Sequence, residues 1–432
     1  MKKLAELLEN KFIKNIMLII SGTAFAQVLS ILTSPIITRI YPPNEYGVLS
    51  VYISVLTILS ISSSLDYQKA IPIAKDDSSA VNLLTISLAV LLIFTLSLLV
   101  VLFLWGEYLI SLLNSEVLIK YMYFIPLGVL FLGLHNIVLQ WSLRIKEFKI
   151  ITITHIIRSI TSAIGKISLG LIGFGPSGLI LGHIVGQSGG ITRLSSPLIK
   201  KRKVFIHAIK IREMKKLAVR YVKFPLYSAP SNYIYTAGVQ APIIILTAFF
   251  DTAIAGFYGL ANSIVNLPIS LLAKSVSQVF YSEVASIGKS NPKKIKKLSL
   301  SLSIKLALIG LVPLLAFVIF GPWLFSIVYG DNWYTAGEYA RILSFVAYAH
   351  FIILPIGRIL EVIEKQNIGL IINITRLIMI VAVFVVAYSL NLKPFYTLTI
   401  FAIISTLSYV SLFAIIQIIL KREIKVRDKH IE

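Results

Sequence analysis

The run AVNLLTISLAVLLIFTLSLLVVLFL, Ala80 to Leu104, is 25 residues without one charge. As a helix rising about 1.5 Å per residue, it is long enough to cross the roughly 30 Å hydrocarbon core of a bilayer. Runs of similar length recur on both sides of it. They lie at about Ile16 to Ile40, Tyr46 to Ser64, Tyr121 to Gln140, Ile150 to Ile172 and Pro176 to Thr192, and then Phe224 to Phe250, Thr252 to Val279, Leu300 to Val328, Glu338 to Ile356, Ile368 to Tyr388 and Phe395 to Leu420. The sequence therefore predicts an all-α integral membrane protein of about 12 transmembrane helices. Its composition agrees: of 432 residues, 57% are hydrophobic and only 14% charged, more apolar than a water-soluble surface tolerates. A signal peptide is excluded, because the first run continues past Ala24, Phe25 and Ala26 to a full spanning length.

The net charge of +22 would suggest nucleic acid in a soluble domain; in this chain it sets topology, and no nucleic-acid partner is expected. With the amino terminus placed in the cytoplasm, 32 basic residues fall on the inner side and only Lys120 and Lys393 on the outer. Both termini are therefore expected inside. The tryptophans Trp105, Trp141, Trp323 and Trp333 stand at span ends or in adjoining outer loops, where an interfacial aromatic belt is expected. With no cysteine, a disulfide framework and a thiolate metal site are excluded.

The expected domains are a six-helix bundle over 1–199, a basic cytoplasmic linker over 200–223, a second six-helix bundle over 224–420 and a cytoplasmic tail over 421–432. The linker, from Lys200 through Arg212 and Lys216 to Arg220, reads as a partly amphipathic segment on anionic membrane lipid, with a docking site for a cytoplasmic partner as the alternative. The halves repeat weakly. Gly106, Leu109, Ser111 and Leu112 match Gly321, Leu324, Ser326 and Ile327, His135 matches His350, and Arg158 and Arg376 occupy corresponding places in the fifth and eleventh spans. With an even number of spans each, the halves share one orientation and form a pseudo-twofold pair.

Seven cations lie within or at the ends of spans: Arg39, Arg158, Lys166, Lys274, Lys305, Arg341 and Arg376. Those near span ends, Arg39, Lys274 and Arg341, can snorkel to the headgroups. Arg158 and Lys166 sit near the middle of the fifth span and share a broad face with His155, Ser162 and Gly165, because eight residues amount to about 80° of helical rotation. Arg376 is equally central in the eleventh span. A cation at mid-membrane costs about 2.5–3.5 kcal/mol if it faces lipid. No Asp or Glu is central to any span, since Asp66, Asp251, Glu283 and Glu338 stand at edges. Cations without carboxylates point to a wet, positive interior that attracts an anion, with a lipid-linked phosphate or pyrophosphate the natural candidate. Pairing with edge carboxylates is the alternative.

Pro35, Pro126, Pro230, Pro242, Pro268, Pro313 and Pro355 are read as kinks inside spans. Asn232, Tyr233, Tyr235, Thr236 and Gln240 make the start of the seventh span polar enough to line an interior. His135, His155, His183 and His350 have no metal-ligand spacing and are expected to bond between helices. No cofactor is called for.

The amino-terminal series Gly22, Ala26, Gln27, Pro35, Thr38, Arg39, Tyr41, Pro43, Glu45, Tyr46, Gly47 resembles the opening of bacterial polysaccharide-biosynthesis flippases of the Wzx type. These belong to the multidrug/oligosaccharidyl-lipid/polysaccharide exporter superfamily, with the lipid II flippase and the multidrug and toxic compound extruders. Arg144, Lys146 and Phe148, then Gly178, Leu179, Gly182 and Gln187, then Tyr221, Phe224 and Pro225, and finally Gly330, Trp333, Ala336 and Gly337 are similar to the family in the same order. Where the family often has a tyrosine and a glutamate before alanine and isoleucine, this chain has Tyr67, Gln68, Lys69, Ala70 and Ile71. The resemblance implies a non-enzymatic flippase in the bacterial cytoplasmic (inner) membrane. Its substrate would be an undecaprenyl-pyrophosphate-linked oligosaccharide, such as an O-antigen or capsule repeat unit, moved by alternating access, with other glycan-assembly proteins as partners. Arg39, Arg158, Lys166, Lys274, Lys305 and Arg376 are then the expected substrate-binding cations. A multidrug exporter on the same fold would favour acidic residues inside. A glycan polymerase or ligase would need a substantial outer loop with catalytic groups, whereas Trp105 to Lys120 offers only Glu107 and Glu116.

Overall fold

The computed structural model describes residues 11–111, 116–200, 205, 207–288, 291–363 and 365–431. The expected basic residues Lys2, Lys3, Lys201, Arg202, Lys203 and Lys289 lie outside them. A helix stands at each of the twelve expected spans. In chain order these are α1 (Lys11–Ile40), α2 (Pro43–Ser62), α3 (Asp77–Ser111), α4 (Phe124–Arg144), α5 (Phe148–Leu171) and α6 (Gly175–Ser188), followed by α7 (Ile191–Lys200) and α8 (Ile211–Arg220). Then come α9 (Ala229–Phe249), entered through a π turn at Phe224–Ser228, α10 (Thr252–Val265), α11 (Lys274–Ile287), α12 (Pro292–Tyr329), α13 (Tyr334–Gly357), α14 (Ile359–Val362), α15 (Gln366–Ser389) and α16 (Pro394–Ile431). Among the described residues no strand occurs. Nine of the described helices are long and apolar enough to cross a membrane, and α10 with the helical stretch Ile269–Ile287 supplies a tenth, bent by 44°. Polar α9 and short α6 account for the remaining two positions. The chain is a multi-pass membrane protein.

Contacts divide it into two compact units, Met1–Ala255 and Gly256–Glu432. Long spans such as α3 bury residues only where another helix covers them: Leu83, Leu84 and Leu91 are buried, while Ile93, Leu96, Val100 and Phe103 are exposed in the manner of a lipid-facing stripe. In the second unit an apolar core joins Phe280, Val284, Ile295, Ile356, Leu360, Ile416 and Leu420.

Local chemistry sets the helix ends. Asp76 accepts the Ser79 N–H at 2.7 Å and opens α3. That bond holds its carboxyl below the usual carboxylate range. Arg144, at the end of α4, donates to the carbonyls of Ile71 (3.2 Å) and Ala74 (2.8 Å) and pairs with Asp77 at 3.0 Å, fastening the turn between α2 and α3.

Two sequence expectations are corrected. Trp141 and Trp333 are buried, not interfacial: Trp141 packs edge-on against Phe205 and Trp333 against Phe257. Only Trp105 and Trp323 are exposed as a belt residue would be. Pro126 does not kink its span, because it falls in the first turn of its helix, where no intrahelical N–H is lost, whereas Pro230 follows directly on the π turn Phe224–Ser228. Pro268 does stand at a break, the 44° bend after α10.

Candidate functional site

Helices α5 and α6 run against each other along a seam of small residues. Gly178, Gly182 and Gly186 recur every four positions on α6, so they share one face. A Cβ at Gly182 would stand 2.5 Å from the Lys166 backbone nitrogen, and one at Gly186 2.4 Å from the Ser162 Cβ. No side chain fits between these backbones. This approach sets the α5 cations beside α6. The Arg158 guanidinium donates to His135 Nε2 on α4 at 2.7 Å and to Gln187 Oε1 on α6. Gln187 Nε2 in turn lies 3.2 Å from His183 Nε2. His155 sits with its ring 6.2 Å from that of His135, and His183 meets the edge of buried Tyr52 at the same separation. Lys166, two turns beyond Arg158, is part-buried, and its backbone carbonyl accepts from the Tyr41 hydroxyl at 2.7 Å. None of the ion pairs among the described residues involves Arg158 or Lys166.

The second unit holds a related arrangement. Arg376 on α15 donates to the Tyr409 hydroxyl on α16 at 2.7 Å, with its guanidinium carbon 4.7 Å from the ring centroid. His350 on α13 stacks on the same ring, centroids 4.9 Å apart. His135 and His350, matched in sequence, thus each belong to the surroundings of a matched arginine: directly in the first unit, and through Tyr409 in the second.

The remaining expected cations are differently placed. Arg39, Lys274 and Lys305 are exposed on α1, α11 and α12, and none of them joins the Arg158 cluster in the hydrogen bonds and ion pairs above. Lys274 lies within electrostatic reach of His350. Lys305 is thirteen residues into α12, deeper than its sequence position suggested, because the helix starts at Pro292 rather than near Leu300. The expected interhelical bonding of His135 is found, in its bond to Arg158, whereas sequence reasoning missed the roles of Gln187 and Tyr409. The shared offset of His135 and His350 was the signal for the histidine.

The carboxylate chemistry of the first unit sits elsewhere. Asp66, 3% exposed and in the left-handed region at φ 60°, accepts from Ser228 (2.7 Å) and Asn232 (2.6 Å) and pairs with Lys69 at 2.8 Å. It joins the turn after α2 to the start of α9. Asn82 similarly holds the linker, accepting from the Lys210 N–H and donating to the Ala208 carbonyl, both at 3.0 Å. On α8, Glu213 pairs with Lys216 at 2.8 Å, and Leu217 is buried among the basic positions. Among the described residues no group of His, Cys, Asp and Glu has metal-binding geometry.

Comparison with known proteins agrees with this architecture. An inward-facing multidrug resistance MATE family transporter of the MOP superfamily superposes with a TM-score of 0.77 at 15% identity, over 92% of this chain and 96% of that one. The lipid II flippase MurJ, in an inward closed conformation, gives 0.73 at 14% identity over 92% and 87%. A MOP superfamily transporter from Pyrococcus furiosus, described by a reversed polarity of its binding pocket, gives 0.63 at 15% over 95% and 96%. The succinoglycan biosynthesis transport protein ExoT of Rhizobium meliloti (strain 1021) is 22% identical over 326 residues, 73% of this chain; the chain spans 62% of that relative's length. The family model described as polysaccharide biosynthesis protein matches residues 36–338. Over 70% of its length, and with the fold of the MOP transporters, the chain belongs to the polysaccharide biosynthesis protein family.

Proposed function

We propose that the protein is a flippase that moves an undecaprenyl-pyrophosphate-linked oligosaccharide repeat unit from the cytoplasmic to the outer leaflet of the bacterial inner membrane. The observation that carries this reading is that Arg158 and Arg376, deep in spans, are met by neutral groups instead of carboxylates, and that none of the ion pairs among the described residues involves Lys166. A cation in hydrocarbon that is hydrogen-bonded but not neutralised keeps its charge available for an anion. Arginine binds a phosphate bidentately and lysine acts as a point charge, so the cluster suits a pyrophosphate better than a cationic drug. The names of the relatives, a polysaccharide transport protein and a lipid II flippase, support the same substrate class.

In this reading the functional halves are 1–199 and 224–420, working by alternating access, with Arg39, Lys274 and Lys305 as outlying attractors and both termini cytoplasmic. The basic α8 linker rests on anionic lipid, and other glycan-assembly proteins deliver and receive the substrate. The protein performs no covalent chemistry and needs no cofactor.

The test is chromosomal replacement by Arg158→Gln or Arg376→Gln, with surface glycan and the intracellular lipid-linked precursor measured at matched protein level. Loss of surface glycan with accumulation of the precursor is expected. Undiminished export in both variants refutes the proposal.

A further inference from the structure

The hydrogen bonds around Arg158 have a direction. A guanidinium carries donors only, so His135 Nε2, 2.7 Å away, is the acceptor. Its lone pair is free for that role in the neutral ring with the proton on Nδ1. The second branch runs the same way. Arg158 donates to Gln187 Oε1, which turns the amide so that Gln187 Nε2 donates to His183 Nε2 at 3.2 Å. His183 then also carries its proton on Nδ1.

The consequence is that the acceptors facing Arg158 and Gln187 are taken and the His135 Nδ1–H remains. His135 is 2% exposed, and its Nδ1 is buried with no protein partner. His155, the nearest other imidazole, lies edge-on at 6.2 Å between ring centroids and does not accept from it. The other charged groups of the neighbourhood are Arg158 and Lys166, both donors, and Lys166 lies within reach of His183. An unpaired buried N–H is costly, and a set of inward donors with no acceptor is what a receptor for an oxyanion requires.

We propose that His135 is a substrate-binding residue whose Nδ1–H, fixed in that tautomer by Arg158, donates to a phosphate oxygen of the transported lipid pyrophosphate. His183, fixed through Gln187, is the second such donor. This inference rests on the anion-transport reading above and adds to it the side chains that recognise the phosphate. Gln187 acquires a role as well, setting the polarity of the hydrogen-bond chain from Arg158 to His183.

The experiment uses the full chain purified into nanodiscs, titrated with farnesyl pyrophosphate, with inorganic pyrophosphate and farnesol as the headgroup-only and tail-only probes. His135→Gln keeps an acceptor for Arg158 but removes the ring-δ donor. It is expected to weaken farnesyl pyrophosphate binding roughly tenfold, the scale of a hydrogen bond to a charged group, while farnesol shows no saturable binding. In wild-type protein labelled with ¹⁵N-histidine, the Nδ1–H resonance absent from His135→Gln should shift when either pyrophosphate probe is added. Wild-type affinity in His135→Gln, with binding lost in Arg158→Gln, overturns this inference and leaves the anion reading standing. Equal affinity in wild type and Arg158→Gln overturns the anion reading itself. Should His135→Gln fail to fold, the wild-type spectra decide: histidine resonances indifferent to pyrophosphate overturn the inference.

Discussion

Gly182→Ala should loosen the α5–α6 seam and with it the cation cluster. The added Cβ would lie 2.5 Å from the Lys166 backbone nitrogen and 2.8 Å from its Cα, where nonbonded carbon contacts settle at about 3.5–4.0 Å. Backbone cannot swing aside as a side-chain tip can, so the helices must part by about 1 Å. Overpacking of that kind costs about 1–3 kcal/mol. The Gly165 and Gly182 backbones already touch, a Cβ at Gly165 falling 3.0 Å from the Gly182 Cα, so the seam is equally tight from the α5 side. The same displacement draws Gln187 away from Arg158, and a hydrogen bond stretched past about 3.5 Å is no longer one. The expected result is a lower thermal unfolding midpoint together with reduced glycan export. Gly357→Ala is the control: nothing lies within 4 Å of its Cβ, so the change is neutral or stabilises by up to about 1 kcal/mol through the unfolded chain. An unfolding midpoint of Gly182→Ala equal to wild type, beside a normal control, refutes the claim that the seam is closed to a methyl group.

Three other sites give separate tests. Arg144→Ala removes the donor to the Ile71 and Ala74 carbonyls and should destabilise by about 2–4 kcal/mol in chemical unfolding, whereas Asp77→Ala, exposed, should change little. Tyr409→Phe takes away the acceptor of Arg376 but leaves the ring under it, so a loss of about 0.5–1.5 kcal/mol is expected, smaller than for Tyr409→Ala, in the same measurement. The Asp76 cap carries a sign in pH. Its folded pKa is lowered by the Ser79 N–H, so its contribution is complete above the ordinary carboxylate range and disappears as pH falls through the lowered value. Asp76→Ala should therefore differ from wild type in unfolding at neutral pH, and the two curves should converge in acid.

How much was visible beforehand depended on the distance over which the physics acts. The spans were legible because hydrophobic length is a local property: Ala80–Leu104 lies wholly within the helix Asp77–Ser111. Arg158 and Lys166 were legible as a pair because helical rotation is fixed. Their partners were not, since which helix faces α5 is decided by the fit of Gly182 and Gly186 to Lys166 and Ser162, a matter of tertiary packing. The tryptophans misled for the same reason. Proximity to a span end predicts an interface only for an uncovered side chain, and Trp141 and Trp333 are covered by Phe205 and Phe257. The sequence places Asp66 only at a span edge, because its bonds to Ser228 and Asn232, more than 160 residues away, leave no trace in local pattern.

The most direct test is flipping in a defined bilayer. Proteoliposomes holding the wild-type protein, with a fluorescent oligosaccharide on undecaprenyl pyrophosphate in the inner leaflet, should make the glycan accessible to an external lectin. Vesicles with the Arg158→Gln, Arg376→Gln double variant, equally folded and reconstituted, should not. Equal exposure of the glycan by both proteins would contradict the claim that these buried, unneutralised arginines carry the phosphorylated substrate.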